Sequence, residues 1–234
     1  MHLMLPRDFM GFVRQVLEPD VLPVYRMPYP GRRGPEARIA HGCLHVSRCL
    51  IFTEVMLNAY RQLDVPASRF DPLAIRLALA WHDAGREGDG FDEWEPQSAA
   101  LAAQHAGKLG LSPTYAAYVG SLIVHTLRKP DDLNALVVEA CDTLDILRVF
   151  PGRAFERHRL AFLRSGGPLP ADEVVRRQVI AEAEAWIAHT ESFSIRRTAD
   201  DSPTCCQDLL HTVDPIAYPT LARLLAHSIH ATPA

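Results

Sequence analysis

Prolines in this chain stand where helices begin, and that placement constrains the fold more than any other feature. Asp71-Pro72 and Ser112-Pro113 each join a capping side chain to a residue whose fixed φ suits a first helical turn. Each pair leads into a largely apolar run, and Pro96 opens another that is rich in alanine. Helices are predicted from Leu73 to about Trp81, from Pro96 to near Gly110, and from Ser112-Pro113 onward with His125 carried near the end. Three more are predicted over 8–18, 39–63 and 131–148, the first with Phe9, Phe12, Val13, Val16 and Leu17 as its apolar side. No stretch alternates with the period of two that a half-buried strand needs. The chain therefore reads as all-α.

Between the first two helices, Pro19, Pro23, Pro28, Pro30, Gly31, Gly34 and Pro35 read as a loop without regular structure. The character shifts again after Pro151-Gly152, where 153–165, 172–190 and 205–230 read as further helices with charge pairs along their faces. The expected organisation is an N-terminal helix and loop (1–35), a catalytic core (36–150) and a helical C-terminal extension (151–234) packed on that core.

Of 234 residues, 48% are apolar and 22% charged, enough for a packed core. The net charge of −4 argues against general affinity for nucleic acid or an anionic membrane. No segment approaches the roughly 20 apolar residues of a membrane span, and the N-terminus lacks the apolar region of a secretory signal. The cysteines (Cys43, Cys49, Cys141, Cys205, Cys206) are odd in number and form no C-x-x-C. They are read as reduced thiols, which places the protein in a cytosol, its own or a host's.

His41, His45 and Arg48 stand at i, i+4 and i+7, a spacing that would put them on one helical face. Such a stripe offers two imidazoles and a guanidinium, groups that hold an anion or a metal and move protons around it. His82-Asp83, His125 and Asp142 follow in order. Each has a plainer reading: His82-Asp83 as a helix end, His125 as a histidine drawn to a helix C-terminus, Arg48 as a bridge to Asp83 or Asp142. Asp145 and Arg148, at i and i+3, read as a local ion pair, and Trp94 as packing or as a stacking platform.

The order His, His-Asp, Asp resembles that of HD-domain phosphohydrolases, and His45-Val46-Ser47-Arg48-Cys49 is similar to the segment that follows their first metal histidine. That resemblance implies an HD-like helical bundle with His45, His82, Asp83 and Asp142 as candidate ligands of a divalent metal. Such an ion activates water and neutralises phosphate charge. A closer resemblance lies in His41-Gly42-Cys43-Leu44-His45-Val46-Ser47-Arg48, Trp81-His82-Asp83-Ala84-Gly85-Arg86, the segment Gly90 to Ser98, and Cys141-Asp142-Thr143-Leu144-Asp145-Ile146-Leu147-Arg148. Together these resemble the phosphodiesterase domain of the SidE family of bacterial effectors over about residues 36–150.

What this second resemblance implies is a phosphodiesterase that acts on ubiquitin carrying ADP-ribose or a phosphoribosyl group, without an obligatory metal or cofactor. His41 would be the nucleophile that forms a phosphohistidine, Glu95 the acceptor orienting it, and His125 the acid and then base. Arg48, Arg86 and His45 would hold the phosphate. The alternative is a metal-dependent HD-type hydrolase of a nucleotide-like substrate or another small phosphate ester. Ubiquitin would need a docking surface, for which the loop 19–38 (Arg26, Arg32, Arg33) and the segment 151–190 (Arg153, Arg157, Arg159, Arg164) are candidates. The setting implied is cytoplasmic, or that of a bacterial effector delivered to a host cytosol.

Overall fold

The computed structural model describes residues 5–6, 8–29, 38, 41–62, 66–88, 93–129, 132–146 and 185. The helices expected after residue 150 and the arginines at 32, 33, 153, 157, 159 and 164 lie outside the described residues, as do Cys205 and Cys206.

Every described element is helical: α1 (Phe9–Phe12), a wide π-helical stretch (Val13–Val21), α2 (Leu22–Arg26), α3 (Cys43–Gln62), α4 (Pro72–Trp81), α5 (Glu95–Lys108), α6 (Pro113–Ile123) and α7 (Leu133–Ile146). Helix α4 is the axle. Its residues from Ala74 to Trp81 are all buried, as an all-round apolar sequence demands. Helices α3, α5, α6 and α7 pack around it, with the π-helical stretch against it as well. Arg76, the charge inside α4, donates from Nε to Glu54 Oε1 at 2.7 Å and lies over the ring of Phe9. A buried charge needs such a partner.

The predicted helix starts hold where a cap was legible. Asp71 accepts from the Ala74 N–H at 3.0 Å, and Ser112 accepts from the Tyr115 N–H at 3.2 Å. Helix α5 stops at Gly110, whose φ of +76° is the left-handed turn glycine tolerates best. There the Leu111 N–H reaches back to the Ala106 carbonyl, closing the helix end.

The expected loop from Pro19 onward is corrected. Helical structure runs from Phe9 to Arg26, straight through Pro19 and Pro23. In an α-helix the Pro19 ring would strike the carbonyl four residues back. The π-helical stretch widens the turn there, and the Leu22 N–H bonds to Leu17 O, five residues behind. Pro23 sits in the first turn of α2, where its missing N–H is not needed. The driving force is burial: Phe9, Phe12, Val13, Val16, Leu17, Val21, Leu22 and Tyr25 all belong to the central core. Residues 9–26 are thus packed into the same core as the helices that follow.

Two further boundaries move. Helix α3 begins at Cys43, so His41 stands ahead of it and not on its stripe. His125 lies beyond the end of α6, on a 3₁₀ turn (His125–Leu127). Helix α7 starts after Asp132, which caps it by accepting from the Asn134 N–H at 2.9 Å.

Candidate active site

Three elements converge at one end of the α4 axle. Its C-terminus delivers His82 and Asp83, the start of α3 brings His45, and α7 brings Asp142 and Asp145. His45 Nε2 lies 2.9 Å from His82 Nε2, 3.1 Å from Asp83 Oδ2 and 3.4 Å from Asp142 Oδ1. His82 Nε2 lies 3.2 Å from Asp83 Oδ2 and 3.4 Å from Asp142 Oδ1. The sequence placed these four residues in one set, and the fold brings their donor atoms together.

The outer sides of both rings are anchored. His82 Nδ1 donates to the Leu79 carbonyl at 2.7 Å, and His45 Nδ1 donates to Asp145 Oδ2 at 2.6 Å. With both Nδ1 atoms protonated, the two Nε2 lone pairs would face each other across 2.9 Å. A positive particle must lie between them. Burial lowers the pKa of His45, and the Cys49 sulfur with the carboxylates of Asp142, Asp145 and Asp83 more than reverses that, leaving it well above the ordinary value. Burial likewise lowers that of His82, and Asp83 and Asp142 carry it well above. The same neighbours, read from the other side, hold the carboxyls down. Against the rise that burial imposes, His82, His41 and His45 keep Asp83 well below the usual carboxylate range. His45 and His82 lower Asp142 against the same burial cost, and Arg48 with His45 lowers Asp145.

A proton meets this demand, and so would a divalent cation. Donors about 2.1 Å from one ion lie roughly 3.0 Å apart at a right angle and roughly 3.4 Å apart in a tetrahedron. The separations of 2.9 to 3.4 Å from the Nε2 atoms of His45 and His82 to each other, to Asp83 and to Asp142 fit that range. Two imidazoles with fixed outer hydrogen bonds, joined by two carboxylates, are a reasonable ligand set for a first-row divalent ion. Cys49 also comes close, its Sγ 3.9 Å from His45 Nε2. Burial pushes that thiol up, against the opposing pull of His45.

His41 occupies the rim of this centre. Its Nδ1 lies 2.7 Å from Asp83 Oδ2, and its side chain is 18% exposed against 2% for His45. An ionised Asp83 fixes the His41 proton on Nδ1 and leaves Nε2 with its lone pair. The acceptor that orients His41 is therefore Asp83, not Glu95 as the sequence suggested. Glu95 Oε2 instead accepts the backbone N–H of His125 at 2.8 Å, so the start of α5 holds the His125 turn. No hydrogen bond, ion pair or ring contact joins Glu95 or His125 to the imidazole centre among the described residues. Their link to it is indirect: Arg86 lies over the ring of Trp94 and places Nη1 3.4 Å from Asp83 Oδ1. Gly85 keeps that junction tight, since a Cβ there would stand 2.6 Å from Ser98 N.

Arg48 is spent elsewhere than expected. Its Nε and Nη2 donate to Asp145, the latter at 3.0 Å, and it is buried. The bridge to Asp83 or Asp142 gives way to one across the α3–α7 contact, and a phosphate role for Arg48 is not what this geometry offers. The local ion pair expected between Asp145 and Arg148 falls on a residue outside the described ones. Asp145 is fully buried and holds both Arg48 and His45. The sequence signal was present: Asp142 and Asp145, one turn apart, share a helical face.

The sequence model of the SidE phosphodiesterase (PDE) domain family matches residues 24–213 of this chain. No curated protein and no solved structure matches it.

Proposed function

Because the chain belongs to the SidE phosphodiesterase domain family, and so is a phosphodiesterase, we propose that it cleaves ADP-ribose or phosphoribosyl linkages on ubiquitin with His41 as nucleophile. The observation that carries this reading is the His41–Asp83 pair at 2.7 Å on a partly exposed rim. It supplies an imidazole with one nitrogen anchored and the other turned away from that anchor.

The His41 Nε2 lone pair attacks phosphorus in line, a P–N bond forms, and the P–O bond to the leaving group breaks. His125 protonates the departing oxygen. A water or a serine hydroxyl then attacks the phosphohistidine, His125 takes its proton, and the P–N bond breaks. Arg86 adds positive charge beside Asp83 for the phosphoryl oxygens. Glu95 serves as the brace of the His125 turn. The setting of this reading is a cytosol that contains ADP-ribosylated ubiquitin.

The test is incubation with ADP-ribosylated ubiquitin and with phosphoribosyl-serine-linked ubiquitin, comparing wild type, His41→Ala and EDTA-treated protein. Turnover that resists EDTA and vanishes in His41→Ala is the expected result. No change in either substrate would remove ubiquitin from the reading.

A second reading is favoured by the donor separations around His45. It is an HD-type phosphohydrolase of a small phosphate ester, with His45, His82, Asp83 and Asp142 holding a divalent ion. Such an ion supplies Lewis acidity and an activated water when bound. His41 would then orient substrate through its bond to Asp83. A stoichiometric metal in the purified protein, with activity lost to EDTA and kept in His41→Ala, would select it.

A further inference from the structure

Among the described residues Asp83 is the one carboxylate that contacts all three imidazoles of the site, His41, His45 and His82. It stands on a turn at the end of α4, and a turn does not hold a side chain by itself. Its main chain is gripped from behind. The Asp83 N–H donates to Tyr25 Oη at 3.3 Å, and its carbonyl accepts from Arg38 Nη1 at 3.1 Å. The same Nη1 reaches the Ala84 carbonyl at 3.2 Å. Arg38 is buried, and its guanidinium lies 5.4 Å from the ring centre of Tyr25 and 5.0 Å from that of Tyr29. Its own carbonyl packs on Gly42 so closely that a Cβ there would stand 2.1 Å away.

One residue thus grips the Asp83 turn with its side chain and braces the peptide next to His41 with its main chain. We infer that Arg38 is a positioning residue that sets His41 against Asp83, an assignment that rests on the His41 reading above. An arginine is required because its planar guanidinium stacks on an aromatic ring while its edge donates to carbonyls. An ammonium does one or the other.

The experiment uses the full chain and two readouts. Steady-state kinetics on ADP-ribosylated ubiquitin separate kcat from KM. The nitrogen shifts of the His41 ring, assigned by their loss in His41→Gln, report its tautomer and the Nδ1–H bond to Asp83. Arg38→Met keeps the apolar stem and is expected to lower kcat roughly 10- to 100-fold with KM changed less than about twofold. It should also move the His41 shifts toward those of a mixed tautomer. Arg38→Lys recovers part of both losses. Tyr25→Phe removes one hydroxyl, folds with the least disturbance and moves the same shifts by less, which keeps the test decisive if Arg38→Met fails to fold. A folded Arg38→Met, or in its place Tyr25→Phe, with wild-type kcat and unmoved His41 shifts overturns the assignment. Full activity in His41→Ala sinks the nucleophile instead, and the shifts in Arg38→Met still judge the positioning role separately.

Discussion

The site has two halves that differ in burial, and the difference decides what each can do. In the inner half, His45, His82, Asp83 and Asp145 are buried, and each is held by more than one partner. In the outer half, His41 is partly exposed, and its proposed acid–base partner His125 rides on a surface turn tied down through its backbone. A buried charge without partners is costly, so the inner half is over-determined and rigid. In the outer half His41 commits only Nδ1 to a partner among the described residues, so its other ring nitrogen can meet a substrate. Rigidity inside is what lets one exposed imidazole be aimed.

The sharpest way to break this comparison is His41→Ala. It should lower kcat/KM on the order of 1,000-fold or more, about 4 kcal/mol or above, while the urea midpoint barely moves. A comparable loss of stability would mean that His41 belongs to the inner half. Asp145→Ala is the mirror experiment. It strands the Arg48 charge and frees the His45 ring, and breaking a buried pair from one side costs about 3–5 kcal/mol. Chemical denaturation should register that loss, and a shift of under 1 kcal/mol, read against that same estimate, would show the inner half to be looser than its geometry.

Gly42→Ala probes the seam between the halves. The new methyl would meet the Arg38 carbonyl, a backbone atom that cannot simply turn aside. A loss of about 1–3 kcal/mol is expected, as for overpacked interiors, together with reduced turnover as His41 moves off Asp83. Unchanged stability and activity would mean the seam relaxes freely.

The smallest effect lies outside both halves. His105, stacked near Trp81, has its pKa lowered by burial. The unfolded chain therefore takes up this proton first as pH falls. The contribution of His105 is present above the ordinary histidine value near 6.5 and is lost below it. The stability gap between wild type and His105→Gln should narrow between about pH 7.5 and about pH 5. A gap that widens on acidification would reverse the sign.

Much of this was legible before any coordinates. Asp71-Pro72 and Ser112-Pro113 announce their helices because cap and proline act locally, within one turn. His45, His82, Asp83 and Asp142 could be grouped by their order in the chain. Pro19 was misread, because a proline's local penalty was weighed without the core that repays it through eight buried neighbours along the same segment. The Arg48–Asp145 pair across the α3–α7 contact joins residues 97 positions apart, and no spacing in the sequence announces it. Glu95 was paired with His41 by resemblance, and the turn at His125 claimed it.

Local chemistry thus determined where the capped helices start, that the described residues are all helical, and which residue types gather for phosphoryl chemistry. Which imidazole is buried, which is exposed, and which carboxylate serves each were decided only by the packing of α3, α4 and α7. Caps and periodicity act over a few residues and are written in the sequence. Pairing among buried charges depends on which side chains meet across helices, and only the folded chain sets those distances.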